Sequence, residues 1–379
     1  MKALDFLSKS LLIMVGFVIV PLSCTDGPLD DATPLDSNSV VELSLAESAN
    51  CYIVSQYCTY KFKTVKGNSA EVISDIESCE VLWESFGTLE QPEKKDLIDT
   101  LYYKDGYVTF KTSEEFKEGN AVIAVKNDKG DILWSWHIWM TDKPKSQTYN
   151  NGAGVVMDRN LGATSANPGE IGCLGLLYQW GRKDPFLGSG DTKKDTIALS
   201  TATWYTEHSS ESIGTIEYSI SHPTTFIKTA LKVDDVVVNQ DWYFTKDGTT
   251  DDTRWTTSEK EKSIYDPCPP GWRVPDGGRT GIWAKSSENS GYFEVGYDKS
   301  NSGMNFKKVF CKDNVIWYPS CGSLTSDGVL KGIGYFSHYW SASINEINAY
   351  NLYINDLNSV HTSNYCHRTL GNSVRCVQN

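Results

Sequence analysis

Residues 132–140 read Ile-Leu-Trp-Ser-Trp-His-Ile-Trp-Met, and that order constrains the fold more than any other stretch of the chain. Side chains along a strand alternate between faces, so Ile132, Trp134, Trp136, Ile138 and Met140 share one side and Leu133, Ser135, His137 and Trp139 the other. Neighbouring runs have the same period. Residues 59–65 alternate, residues 107–112 follow a turn at Asp105-Gly106, and residues 119–126 face 131–140 across Asn127-Asp-Lys-Gly130, a hairpin signal. Residues 40–142 are therefore expected to form a small β-sandwich of immunoglobulin-like type with the 132–140 strand at its hydrophobic centre. His137 is expected as a hydrogen-bonded sheet histidine, ahead of a ligand-binding one. Cys51 and Cys58 bracket Tyr52-Ile-Val54, and strand geometry decides whether they pair.

Residues 143–154 read as a linker, and the composition changes after it. From Val155 onward, Trp180, Trp204, Trp242, Trp255, Trp272, Trp283, Trp317 and Trp340 are spaced through long Gly/Ser/Asp/Asn segments. A short stretch at 175–180 is the one candidate helix. Loops bury little apolar area per residue, so a domain of this kind needs aromatic pegs and cross-links to hold it. The expected fold class is mainly β with an α+β C-terminal part, residues 155–379 forming a second, loop-rich domain.

The N-terminus has Lys2 and Lys9, an apolar run over 11–22, then Ser23-Cys24. This is the shape of a secretory signal peptide (1–23), too short to span a bilayer. A Cys after a small residue is where a bacterial lipoprotein is cut and acylated, although Pro21 departs from the usual pattern. Residues 24–39 are acidic and turn-rich, the composition of a tether. The net charge of −13 argues against nucleic acid and anionic membrane faces as partners. Membrane contact is expected through the lipid on Cys24 alone, with the protein on the outer-membrane cell surface.

With Cys24 set aside, nine of the ten cysteines remain, an odd number that leaves at least one thiol unpaired. Cys311 and Cys321 flank Val315-Ile-Trp-Tyr318 and form a candidate bridge. No Cys/His spacing fits a zinc site, so no metal and no cofactor are expected. Oxygen ligands for calcium could come from residues 247–252, but acidic loops are usually just solvated.

Five motifs occur in order: Met157-Asp-Arg-Asn-Leu-Gly-Ala163, Leu177-Tyr-Gln-Trp-Gly-Arg-Lys-Asp-Pro-Phe186, Asp266-Pro-Cys-Pro-Pro-Gly-Trp-Arg-Val-Pro275, Tyr339-Trp-Ser-Ala-Ser343 and Ser373-Val-Arg-Cys-Val377. The series resembles the Fibrobacter succinogenes major paralogous domain, a C-type-lectin-like module of exported Bacteroidetes lipoproteins. The resemblance covers residues 150–379. It implies a long-range disulfide between Cys268 and Cys376. In the third motif, Pro267, Pro269, Pro270 and Pro275 fix φ and remove amide donors, so the segment must turn. Gly271 then lets Trp272 point inward as a peg. Trp180 and Trp340 are expected as structural pegs too, and Arg273 and Arg375 as donors to loop carbonyls.

Residues 339–367 are rich in Asn, Tyr, Ser and His, side chains that meet a ligand with adaptable hydrogen bonding at little rotamer cost. Along 350–355, Leu352 and Ile354 point one way and Asn351, Tyr353 and Asn355 the other. The expected ligand-binding face comprises Ser343, Asn345, Asn348, Tyr350, Asn351, Tyr353, Asn355, Asn358, His361, Asn364, Tyr365 and His367. Solvated turns account for the same composition. What favours binding is that the tail resembles the variable region of lectin-like proteins diversified by retroelements. The calcium-dependent sugar motifs of true C-type lectins are missing, so calcium dependence is not expected. The function implied is binding of an extracellular glycan or protein, with no catalytic residues. A fimbrial or other envelope subunit is the alternative, and an enzyme of the sulfatase-modifying type a more distant one.

Overall fold

Residues 40–140 supply eight strands: β1 (Val40–Glu42), β2 (Cys51–Val54), β3 (Thr59–Lys63), β4 (Ser78–Ser85), β5 (Ile98–Lys104), β6 (Tyr107–Thr112), β7 (Gly119–Lys126) and β8 (Ile132–Met140). They form two four-stranded sheets, ordered β1-β3-β6-β5 and β2-β8-β7-β4. The β1–β3 and β2–β8 pairs are parallel and the other pairs antiparallel. Trp134, Trp136, Ile138 and Met140 of β8 meet Phe62, Val108 and Phe110 of the other sheet in one apolar cluster. This computed structural model describes residues 39–230, 240–245, 251–257, 261–288, 295–311 and 315–379. The expected signal peptide, Cys24 and nearly all of the tether lie outside them, as do residues 247–250 of the acidic loop.

The second sheet is buried on both faces. Cys51, Trp83, Val122 and Trp139 pack with Met157, Leu161, Trp180, Trp255, Val374 and Trp340 from the C-terminal part. This explains why β7, Gly-Asn-Ala-Val-Ile-Ala-Val-Lys, is buried from Gly119 to Val125, as near-continuous apolar strands are. His137 lies in this second layer, bonded to Asn120 Oδ1 at 2.9 Å. Lys183 and Asp184 are buried there as an ion pair, and both bond the Ser135 hydroxyl.

Sixteen further strands follow: β9 (Ser146–Tyr149), β10 (Gly154–Met157), β11 (Leu177–Gln179), β12 (Tyr205–His208), β13 (Thr225–Lys228), β14 (Trp272–Arg273), β15 (Gly296–Asp298), β16 (Gly303–Asn305), β17 (Trp317–Pro319), β18 (Cys321–Leu324), β19 (Leu330–Ile333), β20 (Phe336–Asn345), β21 (Asn348–Asn355), β22 (Val360–His367), β23 (Gly371–Ser373) and β24 (Val377–Gln378). Among the described residues, two six-residue helices, α1 (Ile216–Ser221) and α2 (Ile282–Ser287), and two 3-10 turns, Asn150–Gly152 and Ile171–Cys173, complete a structure that is 40% strand and 6% helix. The largest sheet runs β11-β23-β18-β20-β21-β22, with β19 on β18, and a four-stranded sheet runs β14-β24-β10-β9.

Several expectations need correction. Residues 175–180 hold no helix: Leu177–Gln179 pair with β23, whose residues are nearly 200 positions away. The stretch 143–154 is more than a linker, because Ser146–Tyr149 form β9 and pair with β10. Cys51 and Cys58 are free and buried. They belong to different apolar clusters on either side of the second sheet, so no bridge joins them. Cys311 and Cys321 are also free, and they too sit in separate clusters.

Cys268 and Cys376 are joined by a disulfide, with Cα atoms 6.1 Å apart and a sequence separation of 108. Around the bridge the proline corner is bonded from every side. Asp266 accepts the amides of Cys268 and Val274, each at 2.8 Å. Asn50 donates to the carbonyls of Ile264 and Asp266, and Glu47 accepts the Gly271 amide. Trp272 is only half-buried, against expectation, because it lies on the short edge strand β14; Val274 is the residue that enters the core.

Candidate functional site

The strands β20, β21 and β22 pair antiparallel in that order. On one face, Tyr339, Leu352 and Ile354 enter an apolar cluster with Trp283, Phe306 and Tyr318. On the other, Trp340 and Ala349 are buried against the second layer of the N-terminal part. Beyond Trp340 that face opens. There Phe336, His338 and Tyr353 are half-buried and His361 is exposed. Ring centroids lie 5.7 Å apart for Phe336–His338, 4.8 Å for His338–Tyr353 and 5.7 Å for Tyr353–His361. The four rings make a ladder across all three strands.

Beneath the ladder runs a chain of amides. Asn351 Oδ1 accepts from Asn364 Nδ2 and from His338 Nδ1, each at 3.0 Å, which places the imidazole proton on Nδ1. Asn351 Nδ2 points to Cys366 Sγ at 3.2 Å. Burial holds His338 below the ordinary histidine range and pushes the Cys366 thiol up. A raised thiol is the opposite of what a cysteine nucleophile needs.

The residues expected on a single ligand face are divided by the structure. Tyr353 and His361 are on the ladder. Asn351 is fully buried, which corrects its expected display: alternation gives it the right face, but the inner end of that face is covered. Asn364 serves the same amide chain. Asn355 is a turn residue, accepting the amides of Leu357 and Ser359 at 3.0 Å each. Asn358 occupies the left-handed region at φ 62° and accepts the Tyr297 amide at 2.7 Å. Tyr350 and Tyr365 meet edge to face on the opposite side, and the Tyr350 hydroxyl points to Asn345. Ser343 Oγ accepts the Gly277 amide, and the Asn348 carbonyl accepts from Arg368. His367 is half-buried at the far end of β22 from His361, so the two do not form a pair. Phe336 and His338 escaped the sequence reading, although Phe336-x-His338-x-Trp340 carries the period-two signal that places them beside Tyr353.

The frame behind the ladder is held by indole N–H groups and guanidiniums. Trp180 donates to the Ser341 carbonyl at 2.9 Å and Trp340 to the Tyr178 carbonyl at 2.8 Å. Arg254 and Arg368 stack on Trp180 with centroid distances of 4.8 and 4.6 Å, and both pair with buried Asp241. Arg375 is buried and donates to the Trp317 carbonyl and to Asn160; Arg273 donates to the Val274 carbonyl and pairs with Asp276. The proline corner leans on the same strands. The Ala342 amide donates to the Pro275 carbonyl, and a Cβ on Gly277 would lie 2.1 Å from Ser341 Oγ. Among the described residues, no cluster of three His, Cys, Asp or Glu side chains is placed to hold a metal ion.

No family model, curated protein or solved structure matches the chain.

Proposed function

We propose that the chain is an exported, lipid-anchored surface protein in which a β-sandwich carries a C-type-lectin-like head, and that the open face of β20–β21–β22 binds a glycan or protein. The observation that carries this reading is the ladder of Phe336, His338, Tyr353 and His361. It offers apolar ring faces beside amide groups on strands fixed from behind. Aromatic rings on a rigid frame supply contact area with little entropy to lose. Lipid anchoring rests on Ser23-Cys24 in the sequence, and Cys24→Ala should release the protein from the membrane fraction.

The test is a glycan and protein array probed with the purified full chain and with a Tyr353→Ala/His361→Ala variant. Binding should weaken by about tenfold or more in the variant, as for other central aromatic anchors. Equal binding by both proteins would remove the ladder from consideration.

A further inference from the structure

Next to the turn joining β21 to β22 is a cavity of about 340 Å³, at the small end of the range for ligand sites, roughly 300–1,000 Å³. Tyr297, Tyr335, Lys193, Lys299, Ser302 and Asp356 line it. Tyr335 is 62% exposed. The Tyr297 hydroxyl is occupied by Ser320 Oγ and the Gly334 carbonyl, so its ring serves as wall. The Asp356 amide donates to the Tyr335 carbonyl and the Tyr297 amide to Asn358, which fixes the cavity to the hairpin that carries the ladder.

The charge here runs against that of the chain. Lys193 and Lys299 are exposed and stand against one lining carboxylate, Asp356, in a chain of net charge −13. Neighbouring carboxylates are engaged with their own loops or with β19. Asp191 accepts the Lys193 amide and Asp195 the Ile333 amide. Asp298 accepts from Ser300 and Asn301, which holds its carboxyl below the ordinary range.

We infer that this cavity is a subsite for a carboxylate-bearing sugar, such as a uronate or sialate residue of an extracellular saccharide. The inference rests on the proposed binding function and narrows its ligand class. A sugar's C–H face stacks on the tyrosine rings, its carboxylate lies between Lys193 and Lys299, and its hydroxyls donate to Asp356 and bond Ser302. Asp356 decides between saccharide and acidic peptide. It accepts from hydroxyls and repels a second carboxylate, so one charge per ring fits and a run of acidic side chains does not.

The test uses oligogalacturonide, hyaluronan fragments and sialyllactose, each against its carboxyl-reduced counterpart, binding to the full chain. At least one acidic member should bind about tenfold or more tighter than its reduced form, and added salt should erode the difference. Lys193→Gln/Lys299→Gln and Tyr335→Ala should each weaken that binding by about tenfold. Equal affinity within all three pairs, unchanged binding in the lysine variant, or equal competition by polyglutamate would overturn the subsite. If the chain binds only neutral glycans or proteins and loses them with Tyr353→Ala/His361→Ala, the acidic subsite falls and the binding function stands. If no array member binds, both fall.

Discussion

His137 is buried, with Nε2 on Asn120 Oδ1 and Nδ1 without a partner. The carbonyl oxygen can only accept, so Nε2 carries the proton and the ring is neutral. Burial pushes its pKa down from 6.5 to about 3. In the unfolded chain the same ring protonates below about 6.5, so the unfolded state binds the extra proton and stability is lost as pH falls from 6.5 towards 3. At pH 4.5 the loss amounts to about 2 to 3 kcal/mol from this residue. Denaturant midpoints at pH 7 and 4.5 should therefore fall more for the native chain than for His137→Gln, whose amide reaches the Nε2 position without titrating. An equal fall would mean that water reaches the ring. Asp266 has the opposite sign: burial raises it to about 6, so its contribution is present below about 3.8 and is lost as pH rises through 6. The sequence placed His137 on the right face of its strand. It did not reveal what covers that face, because Met157, Trp180 and Trp255 arrive from distant parts of the chain.

The strand β21 shows how far alternation carries. Leu352 and Ile354 point into core as the pattern requires. Asn351 and Tyr353 share the other face yet do different jobs, since the cover over Trp340 ends between them. Asn351→Ala should destabilise the chain by about 1 to 3 kcal/mol in urea unfolding, because the His338 and Asn364 donors lose their common acceptor. Half-buried Tyr353 changed to Ala should cost less stability and more binding; the reverse order would contradict the division of the strand. Asparagine composition alone could not separate these roles: Asn355 and Asn358 fold a turn, Asn364 and Asn351 fill an amide chain. Residues 175–180 depart from the expected helix for a related reason. Leu-Leu-Tyr-Gln-Trp has the look of a helix turn, but β23 supplies a partner strand from the chain's far end, and remote pairing outweighs local preference.

The buried residues of one apolar cluster all come from 40–142, those of three others from 149–379, and a fifth cluster is shared between the two parts. The change in composition near residue 150 marks where loops lengthen, and the packing runs straight through it. The unbroken apolar run of β7 was the readable sign that both faces of its sheet are covered. Thermal unfolding followed by calorimetry and by tryptophan fluorescence should therefore show one transition; two separated transitions would mean the shared cluster adds little. Cys268→Ala/Cys376→Ala should lower stability by about 4 to 5 kcal/mol on chain-entropy grounds, less any strain relieved. Seven other thiols are free in the described residues. Cys311, Cys321 and Cys366 all lie between the two bridged positions. During oxidative maturation Cys268 must stay out of wrong partnerships until β24 arrives, so the yield of correctly joined molecules depends on reshuffling, and each misplaced link would trap the chain before its tryptophans close over the sulfurs.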